Sequence, residues 1–533
     1  MPVPRWCPPQ EPTRQEDFLL RRLTRTRKLF GFLRLHRHEL FDEAFQTELE
    51  AMYRDTGAGK DPLPPAQLAM AVLLQGYVGA SDAEAVELTI VDLRWQMVLG
   101  CLGTTEPAFS QGALHDFRHR LIRHDMDRRL LERTVELARQ TKGFDWKKLP
   151  KTLRVAIDSA PLEGAGRVED TFNLLGHAAR QVVACIAAML DWTVDRVCAE
   201  AGIPVLLESS VKRGLDVEWS DPEQKAEALQ SLVAQLDALR RWVESHLPEQ
   251  MKEPPLQQTL ETLERIVAQD LEPTPGGGGG GSSVRIRKGV APDRRISIED
   301  PQMRHGRKSK SRRFNGYKRH IAADLDTDLI LATAITPANQ PEAEATPDLR
   351  SDIARQRLTI GELYIDRGYI KSLLVEQVLG TGNEVICKPW VPRNKGGELF
   401  TKADFRLNLR DLTITCPANE VQSFRLGGTV EFDATRCDHC PLRAQCTKRP
   451  LGHGRQVKIA EDERLQQRLR KQITTKKGRA RLRQRVRIEH RLAHIVQRQG
   501  RRARYLGMRP NLFDLRRAAT LQNLETIHRK MAA

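Results

Sequence analysis

Three acids set far apart in a basic chain have surroundings that suit metal-bound carboxylates. Asp158 closes the run LRVAID, Asp366 closes ELYID ahead of Arg-Gly-Tyr, and Glu489 lies inside RLRQRVRIEHRLAHIVQRQ. Two acids at strand ends and one on a helix can meet in space and hold two divalent cations. Such a pair clamps the attacking and leaving oxygens of a phosphoryl transfer, which points to chemistry on DNA. For either aspartate alone the competing reading is a turn residue or helix cap. Glu489 is the sharper case. Counted at about 100° per residue, Leu482, Val486, Ala493 and Val496 share its stripe, and Arg483, Arg487 and Arg491 point away. Glu489 is then expected on the inward face, where a carboxylate needs a metal or a partner. A buried ion pair with Arg485 is the competing reading.

Two other patterns fail on inspection. Asp324, Asp326 and Asp328 have the alternate spacing of a calcium loop, but Leu329 stands where Gly is required and Ile335 where the closing Glu belongs. The run of six glycines lacks the Lys-Ser/Thr that would follow in a phosphate loop.

Cys416, Cys437, Cys440 and Cys446 form C-x20-C-x2-C-x5-C. Four thiolates suit a structural Zn²⁺, and CDHC makes a tight chelating corner, with His439 and His453 as substitutes. A cluster of reduced thiols in a small β insertion is the alternative. Cys7, Cys101, Cys185, Cys198 and Cys387 read as unligated thiols, mostly core fillers.

These groups must be placed by several domains, since 533 residues exceed one ordinary core. Residues 1–150 read as helical: DPLPPAQLAMAVLLQGYVG, then SDAEAVELTIVDLRWQMVLGC with Ser81 as N-cap, then SQGALHDFRHRLIRHD. A helix-turn-helix and a plain bundle both remain open. KTLRVAID predicts a strand broken by Ser-Ala-Pro after Asp158. Residues 170–285 predict a helical insertion ending in the flexible tether PTPGGGGGGSS. GYKRHIAADLDTDLILATAITPAN predicts an antiparallel hairpin turning at LDTD. Beyond it come a helix, the strand LTIGELYID, the helix GYIKSLLVEQVLGTG and the strand EVICKPW. The fold class is α/β with a sheet of mixed direction and flanking helices. The core is expected from 151–169 and 286–390, a cysteine-containing insertion from 391–460, and basic helices completing the core from 461–533.

Net charge is +17, and the residues from Leu451 onward carry all of it, with 23 Lys and Arg against six Asp and Glu. A block of that density reads first as a nucleic-acid footprint. Aromatics at 5% argue against a stacking platform for single strands. The start, MPVPRWCPPQEP, has Pro and charge where a leader needs an apolar stretch, and no uninterrupted apolar run reaches membrane-spanning length. The expectation is a cytosolic protein without structural disulfides.

The chain resembles DDE transposases of bacterial insertion sequences, nearest to the insertion-sequence 1182 group. The resemblance rests on VAIDSAPLEG, on FNGYKRHIAADLDTDLILATAITPAN, on YIDRGY and on RIEHRLAHIVQRQGRRARYLGMRPN with Arg485 ahead of Glu489; Leu63 to Arg120 looks like the group's N-terminal helical domain. It implies a ribonuclease-H-like catalytic core in which Asp158, Asp366 and Glu489 hold Mg²⁺ or Mn²⁺ for cutting and joining DNA ends. It further implies that the enzyme works on transposon ends and target duplex in the bacterial nucleoid, as a homodimer on DNA. Arg485, Arg498, Arg501, Arg502, Lys318 and Arg367 are the residues expected against DNA. Leu482 and Val496 depart from the group's usual Tyr and Lys. A non-catalytic DNA-binding descendant and a metal-dependent nuclease without joining activity are the alternative functions.

Overall fold

The computed structural model describes residues 3–23, 27–53, 61–140, 152–274, 283–309, 311–392 and 399–532; most of the glycine tether lies outside them. A six-stranded mixed sheet stands at the centre. We number its strands β1 (Leu153–Glu163), β2 (Arg304–Arg307), β3 (Arg313–Asp324), β4 (Ile330–Pro337), β5 (Ile360–Tyr364) and β6 (Glu384–Ile386). Five lie abreast in the order β4-β3-β1-β5-β6, and β2 pairs with the first residues of β3. Strand β3 runs antiparallel to β1 and β4, while β1, β5 and β6 are mutually parallel. The β3–β4 hairpin turns at LDTD as the sequence predicts. Gly316 in β3 has φ +140°, and a Cβ there would lie 2.3 Å from Gly164 N and 2.5 Å from Leu162 O. Only glycine permits so close an approach of β3 to the end of β1.

Strand β1 departs from expectation. It continues through Ser159-Ala160-Pro161, so Asp158 lies inside the strand and not at its end. The reason is its unequal neighbours. The β3 side is paired as far as Glu163, but the pairing with β5 stops at Ala156. Among the described residues that edge beyond Ala156 meets only an isolated bridge from Glu163 to Arg502, so Pro161 removes no ladder hydrogen bond there.

The N-terminal segment is helical, and its helices share one continuous hydrophobic core with one face of the sheet. Ser81 caps Asp82–Val91 in a reciprocal box with Glu84. The expected single helix after it divides, because Asp92 accepts from Arg94 N–H (2.8 Å) and starts a second helix, Leu93–Leu99. Between these helices and the sheet lies the final helix, Met508–Met531, which is buried nearly all round. Its Asn523 accepts from Ile330 N–H and donates to Ile330 C=O (both 2.8 Å), satisfying one residue of β4 as a strand would.

The segment between β1 and β2 forms a helical insertion with its own core, where Leu174, Val182 and Ile186 meet Leu232, Leu239 and Ile266. One helix here, Thr171–Leu190, is long and apolar enough by composition to cross a membrane, although Asn173, His177, Arg180 and Gln181 interrupt its apolar run. Its apolar side chains fill the core of the insertion instead. The segment GYIKSLLVEQVLGTG is helical only over Leu373–Gly380, since Ser372 caps it and the residues before form a single 3-10 turn. The cysteine-containing segment is more regular than read from sequence. Strands Arg406–Asn408, Thr413–Thr415 and Val421–Ser423 form one small sheet, Thr429–Glu431 and Gln456–Lys458 another, around Phe405, Ile414, Phe424 and Phe432.

Candidate active site

The parallel register of β1 and β5 sets Ala156 beside Tyr364. Two residues further along each chain come Asp158 and Asp366, so the shared direction of the strands brings both acids to one level. Side chains alternate across a strand. Asp158 is therefore on the face of Ala156 and Ala160, and that face is covered by the helix Val486–Gln499 through Ile488, Leu492 and Ile495. Arg319, wholly buried, holds the far end of this helix by donating to Gln499 Oε1 (2.9 Å) and Gly500 O (2.8 Å).

Glu489 sits on the rim of that helix with its side chain 54% exposed, not on the inward face. The expected stripe fails for a definite reason. The arginine-rich stretch is two helices, Lys476–Arg483 and Val486–Gln499, and the turn between them breaks the phase counted through Leu482. The true inward stripe is Ile488, Leu492, Ile495 and Gln499; Val486 and Ala493 are exposed. Arg491 does not point away either, because it is largely buried and pairs with Asp328 (2.9 Å), as does Arg487.

All three acids meet at Arg485, the residue just ahead of the helix. Its Nη1 lies 2.9 Å from Asp366 Oδ1, and its Nη2 lies 3.4 Å from Glu489 Oε1 and 4.0 Å from Asp158 Oδ2. The last two contacts share one nitrogen, so those oxygens are no further apart than the two distances together. Burial pushes the Asp158 carboxyl up to about 6, with Arg485 opposing and the other two acids adding to the rise. Burial acts the same way on Asp366, yet the Arg485 charge and hydrogen bond bring it below the ordinary carboxylate range. Among the described residues no three His, Cys, Asp or Glu side chains close on one point as they stand. The guanidinium is what gathers these three.

A polar layer that sequence reading missed lies beneath the acids. Ser159 N–H donates to Asp158 Oδ1 (2.9 Å), and its hydroxyl donates to Glu342 Oε1 (2.6 Å). Gly368 admits Glu342, since a Cβ there would lie 2.0 Å from Glu342 Oε2. The Tyr369 hydroxyl is 2.8 Å from His320 Nδ1, whose Nε2 is 3.0 Å from Thr336 Oγ1. Complete burial pushes His320 down to about 3, so it is a neutral spacer. The available signals were the tyrosine of YIDRGY and an acid three residues after Thr-Pro-Ala-Asn.

The residues expected against DNA are unevenly placed. Arg501 and Arg502 are exposed beside the end of β1, where Ala503 N–H donates to Glu163 O. Arg367 lies over the Trp390 ring, Lys318 donates to Gln340 O (2.6 Å), and Arg498 pairs with Glu525 (2.8 Å). The rejected calcium pattern is structural: Asp324 accepts from Thr327, Asp326 pairs with Arg154, and Asp328 with Arg487 and Arg491. All nine cysteines are free thiols. Cys198 and Cys387 fill cores, whereas Cys7 is exposed and is no core filler. Cys416, Cys437, Cys440 and Cys446 line one cleft of about 500 Å³.

Comparison with known families adds two matches. A model described as a transposase DDE domain matches residues 413–528, and one described as a transposase domain (DUF772) matches residues 24–120. Of the three acids, only Glu489 falls within a matched stretch. No curated protein and no solved structure matches the chain significantly. The DDE-domain stretch, which holds Glu489, together with the transposase-domain stretch near the N-terminus, from which it is separated by the segment carrying Asp158 and Asp366, marks the chain as a DDE-type transposase.

Proposed function

We propose that this transposase binds the terminal inverted repeats of a bacterial insertion sequence of the 1182 group and, as a homodimer on DNA, cuts and joins DNA strands using Asp158, Asp366 and Glu489. The observation that carries the reading is the meeting of three acids, from positions far apart in the chain, at one guanidinium. The strand order, with β3 alone antiparallel to the other four strands abreast, supports a ribonuclease-H-like core. Carboxylate oxygens are the donors that Mg²⁺ or Mn²⁺ takes. Bound there, divalent ions would polarise the scissile phosphate and activate first water, then a 3′-hydroxyl. The chain's own contribution is placement. Parallel strands level the two aspartates, Ser159 orients Asp158, and Arg319 fixes the helix that presents Glu489. The assay is Mg²⁺-dependent cutting and joining of labelled duplexes bearing the repeats that flank the gene. Cutting without joining would favour a nuclease, and binding alone a non-catalytic descendant.

The basic block supports duplex binding with a smaller footprint than its charge implies. Many of its arginines are engaged inside the protein, among them Arg481 with Glu362 and Arg509 with Asp127. Arg464, Arg468, Lys477, Arg483, Arg501 and Arg504 are exposed. With about six phosphates neutralised, affinity should fall roughly a thousandfold from about 50 to about 200 mM salt. A labelled-duplex titration reads this directly; a flat salt dependence would refute the footprint.

We also propose a structural Zn²⁺ at the four cysteines. They line one cleft, and Cys416, Cys437 and Cys446 pack on the small core beside it. The Glu420 N–H donates to Cys416 Sγ (3.3 Å), a bond that suits a thiolate. Holding an ion requires the four thiols to come closer together than they stand. Protein purified without chelators should carry about one Zn²⁺ per chain, and Cys440→Ser should lower that content and the melting temperature. Zinc-free, fully stable protein would leave the reduced-thiol alternative standing.

A further inference from the structure

We propose that Arg485 is a built-in counter-ion of the acid cluster, holding the place of the divalent cations in DNA-free protein and competing with them for the three carboxylates. The inference rests on the reading of Asp158, Asp366 and Glu489 as metal ligands and adds the chain's own competitor to it. Three carboxylates brought together repel one another unless a cation stands among them. Here that cation is supplied in cis. Arg485 reaches Asp366 at 2.9 Å, Glu489 at 3.4 Å and Asp158 at 4.0 Å, with its side chain only 15% exposed. Its Nε is buried and has no hydrogen-bond partner. The whole polar function of the side chain is thus directed through its two terminal nitrogens at the acids.

The position of Arg485 in the chain makes the contact obligatory. It occupies the turn between two helices, four residues ahead of Glu489, so the helix that delivers the third acid delivers the guanidinium with it. A planar fork spreads its charge over separate nitrogens and so reaches carboxylates on different sides, whereas a lysine ammonium concentrates its charge at one point. A divalent ion taking the same oxygens must displace that fork, and its apparent affinity is reduced by the contacts broken. The repulsion among the acids is therefore partly offset without metal, and metal enters against a resident charge.

The test is Mn²⁺ binding to the full-length, DNA-free protein, counted by the electron paramagnetic resonance of free Mn²⁺. Arg485→Gln should bind Mn²⁺ at least about tenfold more tightly than the parent, because a competitor and a like charge are removed. A side chain with a purely structural role would weaken binding on removal. Arg485→Gln should also melt lower without metal and recover on adding Mn²⁺, while the parent's melting point moves little. Equal or weaker Mn²⁺ binding by a folded Arg485→Gln protein overturns the proposal. Should that variant fail to fold, Arg485→Lys carries the test: its single point charge should give about threefold tightening, and none would overturn it. A control separates this inference from the one beneath it. If Asp158→Asn with Glu489→Gln leaves Mn²⁺ binding unchanged, the acids are not ligands and the metal reading itself fails.

Discussion

Replacing Asp158, Asp366 or Glu489 by alanine, one at a time, is expected to reduce Mg²⁺-dependent strand cleavage and joining by about a thousandfold or more, since each removes a charge that positions the ions stabilising the transition state. Duplex binding should change by no more than a few-fold, or tighten, because each substitution makes the site more positive. The effects should not add: a double variant is expected to be no worse than either single one, as groups acting as a unit behave. Asp326→Ala is the matched control. Asp326 pairs with Arg154 in the β3–β4 turn, so its loss should leave cleavage in place. If Asp326→Ala stopped cleavage and Glu489→Ala did not, the third acid would be misassigned. Single-turnover assays on pre-cut and intact ends would show whether cleavage and joining are lost together, as one shared site requires.

The second large effect is on stability. Arg516, on the final helix and 6% exposed, lies 2.5 Å from Asp125, 3.2 Å from Asp127 and 3.6 Å from Asp352. The first two belong to the N-terminal helical segment and the third to the helix Thr346–Arg355 that follows β4. One side chain thus ties three parts of the chain together. Arg516→Ala leaves the buried Asp352 without its ion-pair partner, while Asp125 keeps Arg128 and Asp127 keeps Arg509, and should cost about 3 kcal/mol. The loss should also depend on pH. Burial pushes the Asp352 carboxyl up to about 6 even with Arg516 beside it. A carboxyl raised in the folded state binds its proton more tightly there than when unfolded. It therefore favours folding at low pH, and that benefit is lost as pH rises from about 4 to about 6. Without Arg516 the carboxyl rises further, so the variant should lose less stability at pH 5 than at pH 7.5. Denaturant titrations at both pH values measure this; a loss below about 1 kcal/mol at pH 7.5 would show that Asp352 finds another partner.

Local chemistry was legible wherever a few neighbouring residues decide the outcome. Ser81 announced a helix start, LDTD announced the β3–β4 turn, and the alternation in KTLRVAID announced β1. The three acids were legible as residue types in suggestive contexts. Their meeting was not. It depends on β5 lying parallel to β1 with Ala156 beside Tyr364, and on a helix more than a hundred residues further on covering the same face. Strand pairing is a contact between distant segments, so no local window contains it. The same limit explains the errors. Ser-Ala-Pro looks like a strand breaker until the missing neighbour beyond Ala156 is known. Glu489 was phased through a helix that the turn at Gln484–Arg485 divides. A run of arginines reads as a phosphate footprint until tertiary structure shows that Arg481, Arg491 and Arg516 face carboxylates from other elements. Composition and periodicity determined which groups this protein possesses. Only the folded chain decided which of them face one another, because charge and coordination act through distances in space and not along the sequence.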